Sequence, residues 1–184
     1  MIAATNVFLF HLTLSVLYIA STFPKPDPPI KITNLVVYVH NYFTGADASS
    51  ITVAGKQNPT ADAAGGFNIL QFGTIAVVDD PVTEGPTAES KEIGRAQGSY
   101  INSQFDGKGL YLFFSVIFTG GQYAGSTLEI QGSDIFVRKE REFGIVSGTG
   151  FFRFVEGFGI METAFIDVAN LRAVLKLNLT VKQF

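Results

Sequence analysis

From Gly132 to Phe152 the chain reads GSDIFVRKEREFGIVSGTGFF, and its charges crowd together: Asp134, Arg138, Lys139, Glu140, Arg141 and Glu142. Two arrangements fit this stretch. As a solvated turn between strands, an ion pair in it is worth only about 0–1 kcal/mol. If Asp134 and Arg141 instead face an apolar interior, each charge favours the ionised form of the other. Removing one buried partner then costs roughly 3–5 kcal/mol. Seven positions apart, they point to opposite faces of one straight strand, so they meet only if the chain bends between them.

Residue types that are missing narrow the chemistry further. The chain has no Cys and two His, His11 and His40. A thiol nucleophile and a zinc site built from Cys or several His are excluded, and no metal is expected. No G-x-S-x-G elbow accompanies His40. Acid and base work therefore falls on Asp, Glu, Arg, Lys and Tyr. In LVVYVHNYF, Leu35, Val37, Val39 and Asn41 share one face, and Val36, Tyr38, His40 and Tyr42 the other. An amide and an imidazole thus end opposite faces of one strand; a ligand contact and a local hydrogen bond both fit His40 and Asn41. In IGRAQGSYINSQ, Ala96, Gly98, Tyr100 and Asn102 share a face on which small residues leave room beside a phenol.

The elements that must position these groups read as strands. LRAVLKLNLTVKQF alternates strictly, with Leu171, Ala173, Leu175, Leu177, Leu179 and Val181 on one face. Further strands are expected at 34–43, 50–54, 69–78, 93–102, 110–119, 126–131, 143–146 and 158–168. Turn signals fall at DDPVTEGP, FDGKG, TGGQYAG and SGTG, and NPTADAAGGFN reads as a small-residue loop. No segment keeps a helical period. Many short strands without covering helices point to an all-β sandwich or a closed antiparallel barrel.

Composition agrees. The 184 residues are 47% hydrophobic and 16% charged, with 18 Phe, 19 Gly and no Trp. That suits one tightly turning β-domain. A net charge of -3 and a pI near 5.3 argue against a nucleic-acid partner. Residues 1–23 carry no charged side chain, and an apolar run from Val7 to Ala20 is followed by small residues and PKPDPP. The reading is a signal peptide over 1–23 without a basic start, a Pro-stiffened linker over 24–33, and a β-domain over 34–184. Secretion, with no membrane association after cleavage, follows as an expectation. Asn178-Leu179-Thr180 is a usable glycosylation sequon on the outward face of the last strand, whereas Asn58-Pro59-Thr60 is blocked by proline.

The segments FGTIAVVDDPVTEGPTAESKEIGRAQGSY and SVIFTGGQYAGSTLEIQGSDIFVRKEREFGIVSGTGFFRFVEG, with the alternating C-terminal strand, resemble the plant dirigent protein family from about Leu35 to Val181. DDPxTEGP, GRAQG and SGTGxF in this order carry the resemblance. It implies an eight-stranded antiparallel barrel of the allene-oxide-cyclase type, secretion to the apoplast, glycosylation and a homotrimer with one pocket per barrel. It implies no cofactor and a phenolic ligand. The ligand is a phenoxy radical or quinone methide made by a separate laccase or peroxidase, and the protein dictates the stereochemistry of its coupling in lignan-type biosynthesis. Other members, the pterocarpan synthases, dehydrate isoflavanols through a quinone methide, and YINSQ and TLEIQGSDIF resemble that branch. A non-catalytic cell-wall structural role is the third expectation.

The resemblance places pocket roles on Asp134, Arg141 and Tyr100, with Asn41, Asn102 and His40 as further ligand contacts. It also marks a departure. The family reads His-Asp in the first strand, with the Asp as an acid or base; here the pair is His40-Asn41. An amide transfers no proton at ordinary pH, so that role is lost or moved. Radical coupling, which needs no such acid, therefore leads. Asp79, Asp80, Thr83 and Glu84 read first as loop-capping residues.

Overall fold

The computed structural model describes residues 29–55 and 71–183, together with His11. The expected signal segment apart from His11, residues 24–28 of the Pro-rich linker and the loop NPTADAAGGFN lie outside the described residues. The strands are β1 Lys31–Tyr42, β2 Ser50–Ala54, β3 Ile75–Thr83, β4 Glu92–Asn102, β5 Leu110–Phe118, β6 Thr127–Asp134, β7 Glu140–Thr149, β8 Val155–Asp167 and β9 Arg172–Gln183.

From β3 to β9 each strand pairs antiparallel with the next, and β9 pairs with β1 along the whole of β1. β1 then closes on β3 through Tyr38 opposite Thr83 and Val39 opposite Val82. The result is the expected closed eight-stranded antiparallel barrel. β2 stands outside the circuit and pairs only with the first half of β3, Ser50 opposite Val78 and Ile51 opposite Val77.

Closure follows from the alternation. Residues two apart send their side chains to the same side, and one set per strand is apolar. Val37 and Val39, Leu112 and Val116, Leu128 and Ile130, and Leu177, Leu179 and Val181 are all buried within the barrel. The ring of Phe143 packs against β8 where only a glycine fits: a Cβ on Gly159 would come within 2.2 Å of its Cζ.

Several expected boundaries move: β1 begins at Lys31, inside the expected linker, and β7 runs from Glu140 to Thr149 through most of the expected SGTG turn, but the largest change is in β3. A strand over 69–78 followed by a DDPVTEGP turn is replaced by β3, which carries Asp79 to Thr83 within the sheet. Proline lacks an N–H and is tolerated in a strand only where that side needs no partner. Pro81 meets this condition: it sits opposite Arg95 on β4, at the point where the other edge of β3 passes from β2 to β1.

Candidate functional site

One end of the barrel holds a cavity of about 370 Å³. Its walls are mainly apolar, with Val39, Phe43, Leu112, Phe114, Met161 and Leu177 among them. Ile166, Val168, Leu171 and Arg172 form part of its rim at the β8–β9 turn, where the Arg172 guanidinium lies 5.1 Å from the centre of the Tyr42 ring.

Away from the rim, the polar groups of the wall fall into two patches. The first contains Asp134, Arg141 and Thr163. β6 ends at Asp134, the chain turns, and β7 begins at Glu140. That turn is the bend the odd spacing requires. Arg138 and Lys139 on it stay exposed while Asp134 and Arg141 turn inward, 6% and 4% exposed. Arg141 Nε lies 3.1 Å from Asp134 Oδ1, an ion pair without hydrogen-bond alignment. Arg141 Nη1 donates to Thr163 Oγ1 at 2.9 Å and to the Arg138 carbonyl at 3.3 Å, while Nη2 is buried without a partner. Burial raises the Asp134 pKa, and the Arg141 charge opposes it.

The second patch contains Asn41, Asp80 and Tyr100. Asn41 Nδ2 donates to Asp80 Oδ2 at 2.7 Å, and Ser49 Oγ donates to Asp80 Oδ1 at 2.5 Å. The Tyr100 hydroxyl lies 3.1 Å from Ser50 Oγ, with the Asn41 amide as a weaker neighbour. Burial pushes Asp80 up to about 7, against the pull of the Ser49 and Asn41 hydrogen bonds. Burial likewise raises Tyr100, which stays a neutral phenol.

The strand circuit places these patches opposite each other. Around the barrel the order is β1, β3, β4, β5, β6, β7, β8, β9. Asn41, Asp80 and Tyr100 come from the first three, and Asp134, Arg141 and Thr163 from the fifth, sixth and seventh. Each strand of one patch is therefore diametrically across from a strand of the other.

Asn41, Tyr100, Asp134 and Arg141 thus meet around one space, as a pocket requires. His40 and Asn102 are buried but do not line it. His40 Nε2 bonds Thr83 Oγ1 at 2.7 Å, and Thr83 in turn donates to the Gly85 carbonyl at 2.6 Å. Burial lowers the His40 pKa and favours the neutral ring. Asn102 Nδ2 donates to the Gly107 carbonyl at 2.8 Å and pins the β4–β5 turn. Asn178 lies midway along β9, half-buried, with Nδ2 3.5 Å from Glu162 Oε2. Among the described residues no group of His, Asp or Glu is arranged to hold a metal ion.

The loop-capping reading of the DDPVTEGP segment holds only in part. Glu84 pairs with Lys91 at 3.1 Å across the β3–β4 loop, and Thr83 serves His40. Asp79 and Asp80 are strand residues on opposite faces. Asp79 faces outward, where bonds from Arg95 and Gln97 hold its pKa low against a slight burial. Asp80 faces the cavity and is 3% exposed. It is the functional candidate that the sequence reading missed. The period-two series Ala76, Val78, Asp80, Val82 carried the signal, with one carboxylate on an otherwise apolar face.

A family model described as dirigent-like protein matches residues 32–182. Dirigent protein 11 of Arabidopsis thaliana is 37% identical over 157 residues, covering 85% of this chain and 76% of that one. Pterocarpan synthase 1 of Glycyrrhiza echinata is 32% identical over 97% of this chain and 98% of its own. Among solved structures, a pterocarpan synthase dirigent protein superposes with a TM-score of 0.74 at 33% identity, over 87% of this chain and 89% of that one.

Proposed function

This chain belongs to the dirigent-like protein family, and from that premise we propose that its cavity binds a phenolic molecule and fixes which face of a derived quinone methide is attacked. The observation that carries this reading is the pair of opposed polar patches in an otherwise apolar cavity. A planar aromatic body fills the apolar walls, and hydroxyls at its two ends meet Asn41, Asp80 and Tyr100 on one side and Asp134 and Arg141 on the other. Gripping at both ends is what facial selectivity needs. A tenfold preference takes about 1.4 kcal/mol of differential barrier, within reach of a few placed hydrogen bonds in a dry pocket.

Two reactions of this kind fit the cavity. The first is loss of water from an isoflavanol and ring closure, as the name of the pterocarpan synthase relatives suggests. It needs a proton donor, and among the described residues Asp80 and Asp134 are the buried carboxyls that line the cavity. The second is stereoselective coupling of radicals made by a separate laccase or peroxidase, which needs only the apolar wall and the hydrogen bonds.

Chiral chromatography separates them. The protein is incubated with racemic isoflavanol, and separately with coniferyl alcohol and a laccase. One enantiomer of a dehydrated, ring-closed product establishes the first reaction. Enantiomeric excess in the coupled dimers, without a change in oxidation rate, establishes the second. Racemic or unchanged material in both refutes the reading.

A further inference from the structure

Resting on the quinone-methide reading, we infer that Asp80 is the acid of this cavity that protonates the departing hydroxyl, and that Asn41 holds its carboxylate in the way a second, permanently protonated carboxyl would. The resemblance leaves position 41 without its usual acid. The geometry indicates where the function has moved. Asn41 Nδ2 donates to Asp80 Oδ2 at 2.7 Å. An amide has the shape of a carboxylic acid, with an N–H where the acid has its O–H. Two carboxyls at this separation cannot both ionise and would share one proton. With an amide at 41 the pair is fixed in that shared arrangement, and Asp80 alone titrates.

Three further observations agree. Asp80 lines the cavity although it is 3% exposed. Ser49 Oγ grips its second oxygen, so the carboxyl is oriented from two sides. Asn41 Oδ1 is buried without a well-formed hydrogen bond, beside the space a substrate hydroxyl would fill. The titratable and charged neighbours of Asp80 are Tyr100 on β4, a neutral phenol, and Asp79 and Arg95 on the outer face, whose effects oppose each other. Burial dominates, and a carboxyl titrating near 7 can both give and take a proton at neutral pH.

The step balances without an oxidant. Protonated Asp80 gives its proton to the departing hydroxyl oxygen, and the C–O bond breaks with its electron pair on the water formed. The phenolic O–H across the barrel gives its proton to Asp134, and its electron pair enters the ring to make the quinone methide. On ring closure the attacking hydroxyl adds to the electrophilic carbon and its proton returns to Asp80. The phenol recovers its own proton from Asp134. The net change is loss of one water.

The test uses wild type, Asp80→Asn and Asn41→Asp. Asp80→Asn is expected to lower isoflavanol turnover at least 100-fold while isoflavanol binding changes less than threefold. Asn41→Asp is expected to replace a single ionisation in the pH–rate profile by two, because the introduced carboxyl then shares a proton with Asp80. Turnover by Asp80→Asn within threefold of wild type overturns the proposal, as does a single unshifted ionisation in Asn41→Asp. If wild type neither dehydrates isoflavanol nor guides coupling, the functional reading fails separately. Carbon-13 NMR of the Asp80 carboxyl then decides the proposal, with 4-hydroxybenzyl alcohol as probe. A titration midpoint near 7 that moves on saturation with the probe supports it; a midpoint below 5, or one that the probe leaves in place, overturns it.

Discussion

The two ends of this barrel are built by the same alternation and finish differently. At the closed end Phe118, Tyr123, Phe151 and Phe152 pack ring against ring, with centroids 4.8–5.6 Å apart. A short 3-10 turn at Gly150–Phe152 carries two of these rings, Phe152 fully buried and Phe151 exposed over it. Among the described residues no buried carboxylate lies there. At the open end the inward positions carry Ala96, Ala173 and Val78, which leave space, and Asp80, Tyr100, Asp134 and Arg141, which give that space chemistry. Side-chain volume decides which end of a barrel is core and which is pocket. The closed end is tuned for packing; the open end carries buried charge that packing alone would not favour.

Breaking the closed end gives the largest expected effect on stability. Phe152→Ala removes a fully buried ring and should cost about 3–5 kcal/mol in urea unfolding, with phenolic binding at the other end of the folded protein unchanged. Arg141→Met attacks the open end. It strands a buried carboxylate, and a loss of about 3 kcal/mol is expected at pH 7. Without Arg141 the Asp134 pKa rises further above its unfolded value, so the variant should keep most of its stability below pH 4 and lose it as pH rises. A penalty that is the same at pH 4 and pH 7 would show that the charge is not the cause.

Asp80 sharpens the contrast by pH alone. Its folded pKa, about 7, lies above the unfolded value near 4. The stability associated with its neutral form is therefore full below pH 4, declines between 4 and 7, and is flat above. Asp80→Asn should remove that slope, on the order of a few kcal/mol, in unfolding curves taken across the window. Ser50→Ala deletes the hydroxyl partner of Tyr100 and should cost about 1 kcal/mol. It tests whether β2 serves the cavity or only covers a strand edge.

Much of this was legible in the sequence, for physical reasons. The alternation in β9 survives because one of its faces is turned inward throughout, lining the cavity at Ala173 and Leu175, with Leu177, Leu179 and Val181 buried as the pattern requires. The inward turn of Asp134 and Arg141 was legible as a condition, a bend between them, which the β6–β7 turn meets. Asp80 was hidden by its neighbours. Two acids followed by proline have the composition of a turn, and only the incomplete edge of β3 lets that composition continue as a strand. Asn41 was read as a lost acid because its partner, 39 positions away in sequence, comes from another strand. Spacing along one strand carries no information about pairs between strands. His40 was expected as a ligand contact from the resemblance; it faces away from the cavity and bonds Thr83 at the end of β3, a tertiary contact that strand spacing does not show.

The seam where β1 meets β3 has a kinetic meaning. β1 runs the full length of β9, yet it joins β3 only around Tyr38–Thr83 and Val39–Val82, with Asp79 to Pro81 lying between that junction and β2. Amide exchange should therefore proceed fastest along this line, with the β1–β9 amides among the slowest in the barrel. An opening there reaches Asp80 from the side. Water entering through the parted seam would exchange the Asp80 proton with solvent while a bound molecule still blocked the mouth, so the charge state of the acid and the occupancy of the cavity can be set independently.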